Sequence, residues 1–211
     1  MIRSVRMLCC LAIATLLASS VPYDPGIGPT FSSSRVDQLY PGTWREIESV
    51  DFRNLTYSLN GARWVLKDGA SRNRDEVGYS EASLQRGYLL RSSTSGKPDA
   101  ALVLLSWSSA GGSSSSGDAA FVLVLRDGRL HLIQVMNSDT HFQTAEPFTT
   151  FDEATKTLVF RSAHYIPGDA HCCVSAMDVV TLRWDGSAFV QSSFVTELSE
   201  YGKSEHRQLP H

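Results

Sequence analysis

Four Asx-Gly dipeptides punctuate this chain: Asn60-Gly61, Asp68-Gly69, Asp127-Gly128 and Asp185-Gly186, each lying between segments rich in β-branched and aromatic residues. Asn and Asp followed by Gly accept the positive φ that tight hairpin turns require. A chain that turns back on itself four times in this way reads as a succession of antiparallel hairpins. The expected fold class is therefore mainly β, an antiparallel multi-hairpin sheet in a single domain with little helix, with α+β as second choice.

The clearest hairpin joins 121–125 to 130–135 through Asp127-Gly128. Its first arm is apolar at every position, the pattern of a central strand covered on both faces. A second joins 179–184 to 188–193 about Asp185-Gly186, with Thr181 and Arg183 on the wet side. A third joins 148–151 to 157–160, and residues 100–107 add a buried strand. Serine occurs 29 times; the clusters 32–34 and 113–116 read as loop filler, so 111–117 is expected to be a flexible loop. Ser34 is placed to cap a short helical turn over 34–39.

Residues 1–20 have a charged start (Arg3, Arg6), an apolar run over 7–18 and small residues at Ala18, Ser19 and Ser20. This is the layout of a cleaved signal peptide. The apolar run of about twelve residues is too short to cross a hydrocarbon core of about 30 Å, and no later stretch approaches spanning length. Arg6-Met7-Leu8, before Cys9 and Cys10, lacks the small residues of a lipoprotein signal. The expected layout is a signal peptide over 1–20, an extended leader over 21–45, a β-rich domain over 46–196 and a flexible tail over 197–211. The mature chain is expected outside the cytoplasm, periplasmic or secreted, with no membrane span. After cleavage 17 basic and 22 acidic residues remain, 17 − 22 = −5. That balance argues against nucleic acid as the main partner, and leaves an unidentified envelope component or small-molecule ligand.

Cleavage also leaves two cysteines, Cys172 and Cys173, and they are adjacent. An oxidising compartment favours pairing, and three states are open: a vicinal disulfide, a reduced pair or a bridge to another molecule. His164, Asp169, His171, Cys172 and Cys173 lie within ten residues and include ligand types suited to zinc or copper. Their spacing matches no zinc finger, and adjacent cysteines chelate one tetrahedral ion only with backbone strain. A vicinal disulfide that stiffens the loop is the preferred reading, with no metal or cofactor. A strained disulfide is also readily reduced, which gives a redox switch as the competing use. The chain lacks Gly-x-Ser-x-Gly and His-Glu-x-x-His, and the carboxylate pairs Asp75-Glu76 and Asp152-Glu153 sit at turns. Catalytic residues are therefore not assigned, and the reading leans away from an enzyme.

Four segments occur in an order that resembles a diffuse family of exported bacterial proteins of unknown function, which includes the LppP/LprE-type lipoproteins of actinobacteria. They are Val50-Asp51-Phe52-Arg53-Asn54-Leu55-Thr56-Tyr57, Gly96-Lys97-Pro98-Asp99-Ala100-Ala101, Gly168-Asp169-Ala170-His171-Cys172-Cys173 and Leu182-Arg183-Trp184-Asp185-Gly186-Ser187-Ala188-Phe189-Val190. The resemblance covers residues 46–192 and implies a small extracytoplasmic β-rich domain without an established activity. Members often carry an Asp- and Gly-rich loop, resembling a calcium loop, before the second segment. Here Arg91-Ser92-Ser93-Thr94-Ser95-Gly96 has no carboxylate and only Asp99 follows, too few charged oxygens for a calcium site.

Two functions follow. The first is an exported non-enzymatic β-domain, binding or envelope-supporting, with Cys172 and Cys173 in a structural vicinal disulfide. The alternative is an extracytoplasmic metal-binding or redox-responsive protein using the His, Asp and Cys-Cys segment.

Overall fold

The computed structural model describes residues 31–59, 61–74, 79–91, 97–111, 113–140, 149–166, 168–169, 174–205 and 207–209. Within them are twelve strands: β1 (Phe31–Leu39), β2 (Thr56–Leu59), β3 (Ala62–Val65), β4 (Ala70–Arg74), β5 (Tyr79–Arg91), β6 (Pro98–Gly111), β7 (Ser113–Arg126), β8 (Arg129–Thr140), β9 (Thr149–Asp152), β10 (Thr157–His164), β11 (Ala176–Trp184) and β12 (Phe189–Leu198). One short α-helix, α1 (Glu200–Ser204), follows in the segment read as a tail. The fold is mainly β, as the hairpin punctuation requires.

The strands form three antiparallel sheets. A six-stranded sheet runs β1-β8-β7-β6-β5-β4, a four-stranded sheet runs β12-β11-β10-β9, and β2 pairs with β3. The six-stranded sheet is the middle layer. On one face Ala101, Val103, Leu105, Phe121 and Leu123 pack with Tyr57, Trp64 and Leu66 of the β2-β3 layer and Ile47 of a 3₁₀ turn. On the other, Leu102, Leu104, Ala120, Val122 and Val124 pack against Leu158, Phe160, Val180 and Leu182 of the four-stranded sheet. Because both faces of β6 and β7 are covered there, the segment Ala100–Val103 and the segment Phe121–Leu123 are buried at every position. This double burial is the physical origin of their unbroken hydrophobicity.

The Asx-Gly pairs do turn the chain. Asp127 (φ 49°) and Gly128 (φ 71°) close β7 onto β8 as a two-residue loop between the paired Arg126 and Arg129. Asp68 (φ 53°) and Gly69 (φ 89°) do the same between the bridged Lys67 and Ala70. The Asp51-Phe52-Arg53-Asn54 segment serves this second turn. Asp51 accepts from the Arg53 N–H and the Asn54 side-chain amide, and Arg53 donates to the Asp68 carbonyl at 2.8 Å. Trp184-Asp185 is likewise architectural: Trp184 Nε1 donates to the Arg91 carbonyl at 2.7 Å, and Asp185 accepts from the Ser187 and Ala188 N–H groups.

Two sequence expectations are corrected. Residues 34–39 form no helical turn; they belong to β1, where Ser34 and Arg35 pair with Val135 and Gln134 of β8. A ladder partner on β8 outweighs the weak preference of one capping serine. Nor do Gly111 and residues 113–117 form a loop. β6 extends to Gly111 and β7 begins at Ser113, so the serine run is the distal part of a long hairpin. Serine strands of this kind form because cross-strand pairing, not intrinsic propensity, sets strand structure.

Candidate ligand-binding groove

Of the five residues grouped by sequence, the structure describes two; His171, Cys172 and Cys173 lie outside the described residues. His164, at the end of β10, sets its Nδ1 3.1 Å from the carboxylate of Asp178. Asp178 is buried and also accepts from Thr196 Oγ1 at 2.7 Å. The result is a polar rung across β10, β11 and β12. Asp169 is committed elsewhere. Its fully buried carboxylate accepts from the N–H groups of Ile166 and Ser175, each at 3.0 Å, and from the Ser175 hydroxyl, with Arg207 Nη2 at 4.0 Å. Asp169 therefore ties together the two ends of the segment that contains the cysteines. Among the described residues no three His, Cys, Asp or Glu side chains converge as a metal site.

Ser162, His164 and Asp178 supply the residue types of a nucleophile triad without its arrangement. The Ser162 hydroxyl has no hydrogen-bond partner, His164 included, and the residue is 1% exposed. A nucleophile must meet both its base and its substrate, and Ser162 meets neither requirement.

A second site emerges from strand register. On the face of the six-stranded sheet that meets the four-stranded sheet, cross-strand partners form rows roughly 7 Å apart, two residues along each strand except on β5, where an irregularity between Leu84 and Arg86 adds a third. One row is Tyr88, Leu102, Val122 and Gln134, and the next is Arg86, Leu104, Ala120 and Met136. Then the chemistry changes. The third row is Ser83, Ser106, Asp118 and Ser138, and the fourth contains Glu81, Ser108 and Ser116. The apolar members of the first two rows, Leu102, Leu104, Ala120, Val122 and Met136, pack in the core shared with the second sheet, while Arg86 and Tyr88 at their β5 ends reach the open side. From the polar rows, Ser106, Ser116 and Asp118 line a groove of about 510 Å³ that Arg86, Tyr88 and Thr149 also bound. A neighbouring hollow of about 360 Å³ shares Ser106, Trp107 and Ser116 and continues to Arg72 and Glu81.

Hydrogen bonds organise this surface. Ser83 and Ser106 pair through their hydroxyls at 2.8 Å, and Ser108 donates to Glu81 Oε1 at 3.1 Å. Glu81 Oε2 lies 3.5 Å from Arg72 Nε. Burial pushes the Asp118 carboxyl above its ordinary range, a shift that the Thr149 N–H partly offsets. The Trp107 side chain turns to the opposite face, where it donates to Asn137 Oδ1 at 2.9 Å and stacks on Trp64. Gly117 separates Ser116 from Asp118, and any Cβ there would overlap the Ser138 carbonyl oxygen. Two aromatic contacts set the rim: Arg86 lies 5.8 Å over the Tyr88 ring, and Tyr88 packs on Phe151 at 4.7 Å.

None of these groove residues is marked by a sequence motif. The usable signal is the period of two in Ser106, Ser108 and in Ser116, Asp118, which places hydroxyls on one strand face. Comparisons of the chain with protein-family models, curated proteins and solved structures find no match. Among the described residues no helix is long and apolar enough to cross a membrane.

Proposed function

We propose that this protein is an exported, non-enzymatic β-domain that binds a small ligand in the groove on its central sheet. The observation that carries the reading is the change from apolar to hydroxyl-bearing residues along one sheet face, where Ser106, Ser116 and Asp118 line an open groove. A groove of several hundred Å³ with convergent polar groups is the usual form of a small-molecule site. The layout of residues 1–20 supports export, and the resemblance to exported bacterial β-domains points the same way. Cys172 and Cys173 act as a structural vicinal disulfide, in a segment whose two ends Asp169 already holds.

The test is thermal unfolding of the mature chain against neutral sugars, amino acids, organic acids and polyamines, alongside a groove-filling Ser106→Tyr variant. At least one compound is expected to raise the midpoint of the wild type by a few degrees near saturation and to leave the variant unmoved. No shift with any compound, or equal shifts in both proteins, overturns the groove. Alkylation of exported protein before and after reduction tests the cysteines. Two thiols that appear only on reduction, without a change of oligomer, are expected; thiols alkylated without reduction overturn the disulfide.

A further inference from the structure

The polar groups of the groove, and of the neighbouring hollow that shares Ser106 and Ser116 with it, constrain what can fill them. Ser108 spends its proton on Glu81, and one of Ser83 and Ser106 spends its proton on the other. Glu81 and Asp118 present carboxylate oxygens. This part of the surface therefore offers mainly acceptors, and a ligand must bring hydrogen-bond donors to it. Arg86, on the rim of the same groove, presents only donors in a planar fork, so the ligand must also accept. Hydroxyl groups do both.

Net charge narrows the class further. Arg72 and Glu81 neutralise one another at 3.5 Å, which leaves one cation, Arg86, and one carboxylate, Asp118, among the described groove-lining residues. A strongly anionic ligand meets Asp118, and a strongly cationic one meets Arg86. A neutral ligand meets no opposing charge at either.

A second observation lies in the row of Asp118 itself. Ser138, the cross-strand partner of Asp118, is fully buried, and its hydroxyl has no partner. Ser162 on the facing sheet is in the same condition. Both lie near the Phe31–Phe160 ring contact, since Phe31 pairs with Ser138 and Phe160 precedes Ser162 by two residues. Buried hydroxyls without partners are uncommon and costly. Asp118 is thus a groove-lining residue whose row also holds a buried, unsatisfied hydroxyl.

Building on the groove reading above, we infer that the ligand is a neutral, polyhydroxylated molecule, a short saccharide, with Asp118 as the residue that anchors one of its hydroxyl groups. The decisive measurement is binding of the full mature chain to an array of neutral hexose and N-acetylhexosamine oligosaccharides, acidic oligosaccharides and amino sugars, followed by titration of the strongest. Saturable binding to a neutral saccharide is expected, weakened tenfold or more by Asp118→Asn and unchanged by Glu197→Gln on β12. Unfolding curves of both variants establish that they are folded. Binding confined to acidic or amino saccharides, or none at all, overturns the inference. So does neutral-saccharide binding that Asp118→Asn leaves intact. In each of these cases the groove itself is still judged by the Ser106→Tyr comparison, so the two proposals fail separately.

Discussion

The two halves of one face of the six-stranded sheet are built from the same strands and differ in what lies above them. Leu102, Leu104, Ala120, Val122 and Val124 sit beneath Leu158, Phe160, Val180 and Leu182. A few residues along the same strands, Ser106, Ser108, Ser116 and Asp118 face the groove. The covered half excludes water and stabilises the layer contact through apolar burial. The open half contributes little to that burial, and its side chains are arranged for hydrogen bonding. The difference teaches that a strand pair can extend beyond its core, with the core anchoring a projecting surface whose chemistry is otherwise unconstrained.

That comparison can be broken most sharply in the covered half. Phe160→Ala removes a fully buried ring that touches Phe31 and is expected to cost about 3–5 kcal/mol in urea unfolding. A loss under 1 kcal/mol would mean that the second sheet is not a stabilising layer. On the open half the largest effect falls where a side chain cannot exist. Gly117→Ala, which drives a methyl group into the Ser138 carbonyl, is expected to cost about 1–3 kcal/mol and to disturb the amide signals of Asp118 and Ser138. A neutral Gly117→Ala would show that β7 and β8 separate freely at this level.

Smaller and opposite in sign is Asp118→Asn. Burial holds the Asp118 carboxyl above its ordinary 3.8, so the folded state retains the proton more tightly than the unfolded chain. The wild type therefore loses stability from this group as pH rises from about 3.8 through the raised value. The asparagine variant lacks that loss. Urea midpoints measured between pH 3 and 7 are expected to move in favour of Asp118→Asn as pH increases; parallel curves would refute the burial of the carboxyl. Least of all, Ser108→Ala is expected to stay within about 0.5 kcal/mol of the wild type, which would place the hydroxyl rows outside the machinery of folding. A calorimetric loss well beyond that would erase the distinction between the halves.

The turns and the core strands were legible because each has a local cause. Asp127-Gly128 needs positive φ, and the run Phe121–Leu123 is apolar because both faces are covered. The groove was not legible, since Glu81, Ser108 and Ser116 meet only through register across three strands, and register is a non-local property. The serines of 113–116 misled for the same reason: their composition suits a loop, while their partners on β6 hold them in a ladder. In the cysteine segment, sequence proximity grouped His164 with Asp169, yet each is satisfied by a different partner, Asp178 for one and Ser175 for the other.

The pairing of Phe31 with Ser138 also bears on folding. The β6-β7-β8 meander closes through short connections, whereas β1 must return across almost the whole intervening chain to find the outer edge of β8. Loop-closure entropy rises with that separation, and long-range strand pairing slows folding. β1 is thus expected to dock after the meander, and without it β8 presents an open ladder at the edge of the sheet. An amino-terminal strand that completes the edge late would make the most vulnerable moment of this protein a kinetic one, decided by how soon its beginning comes home.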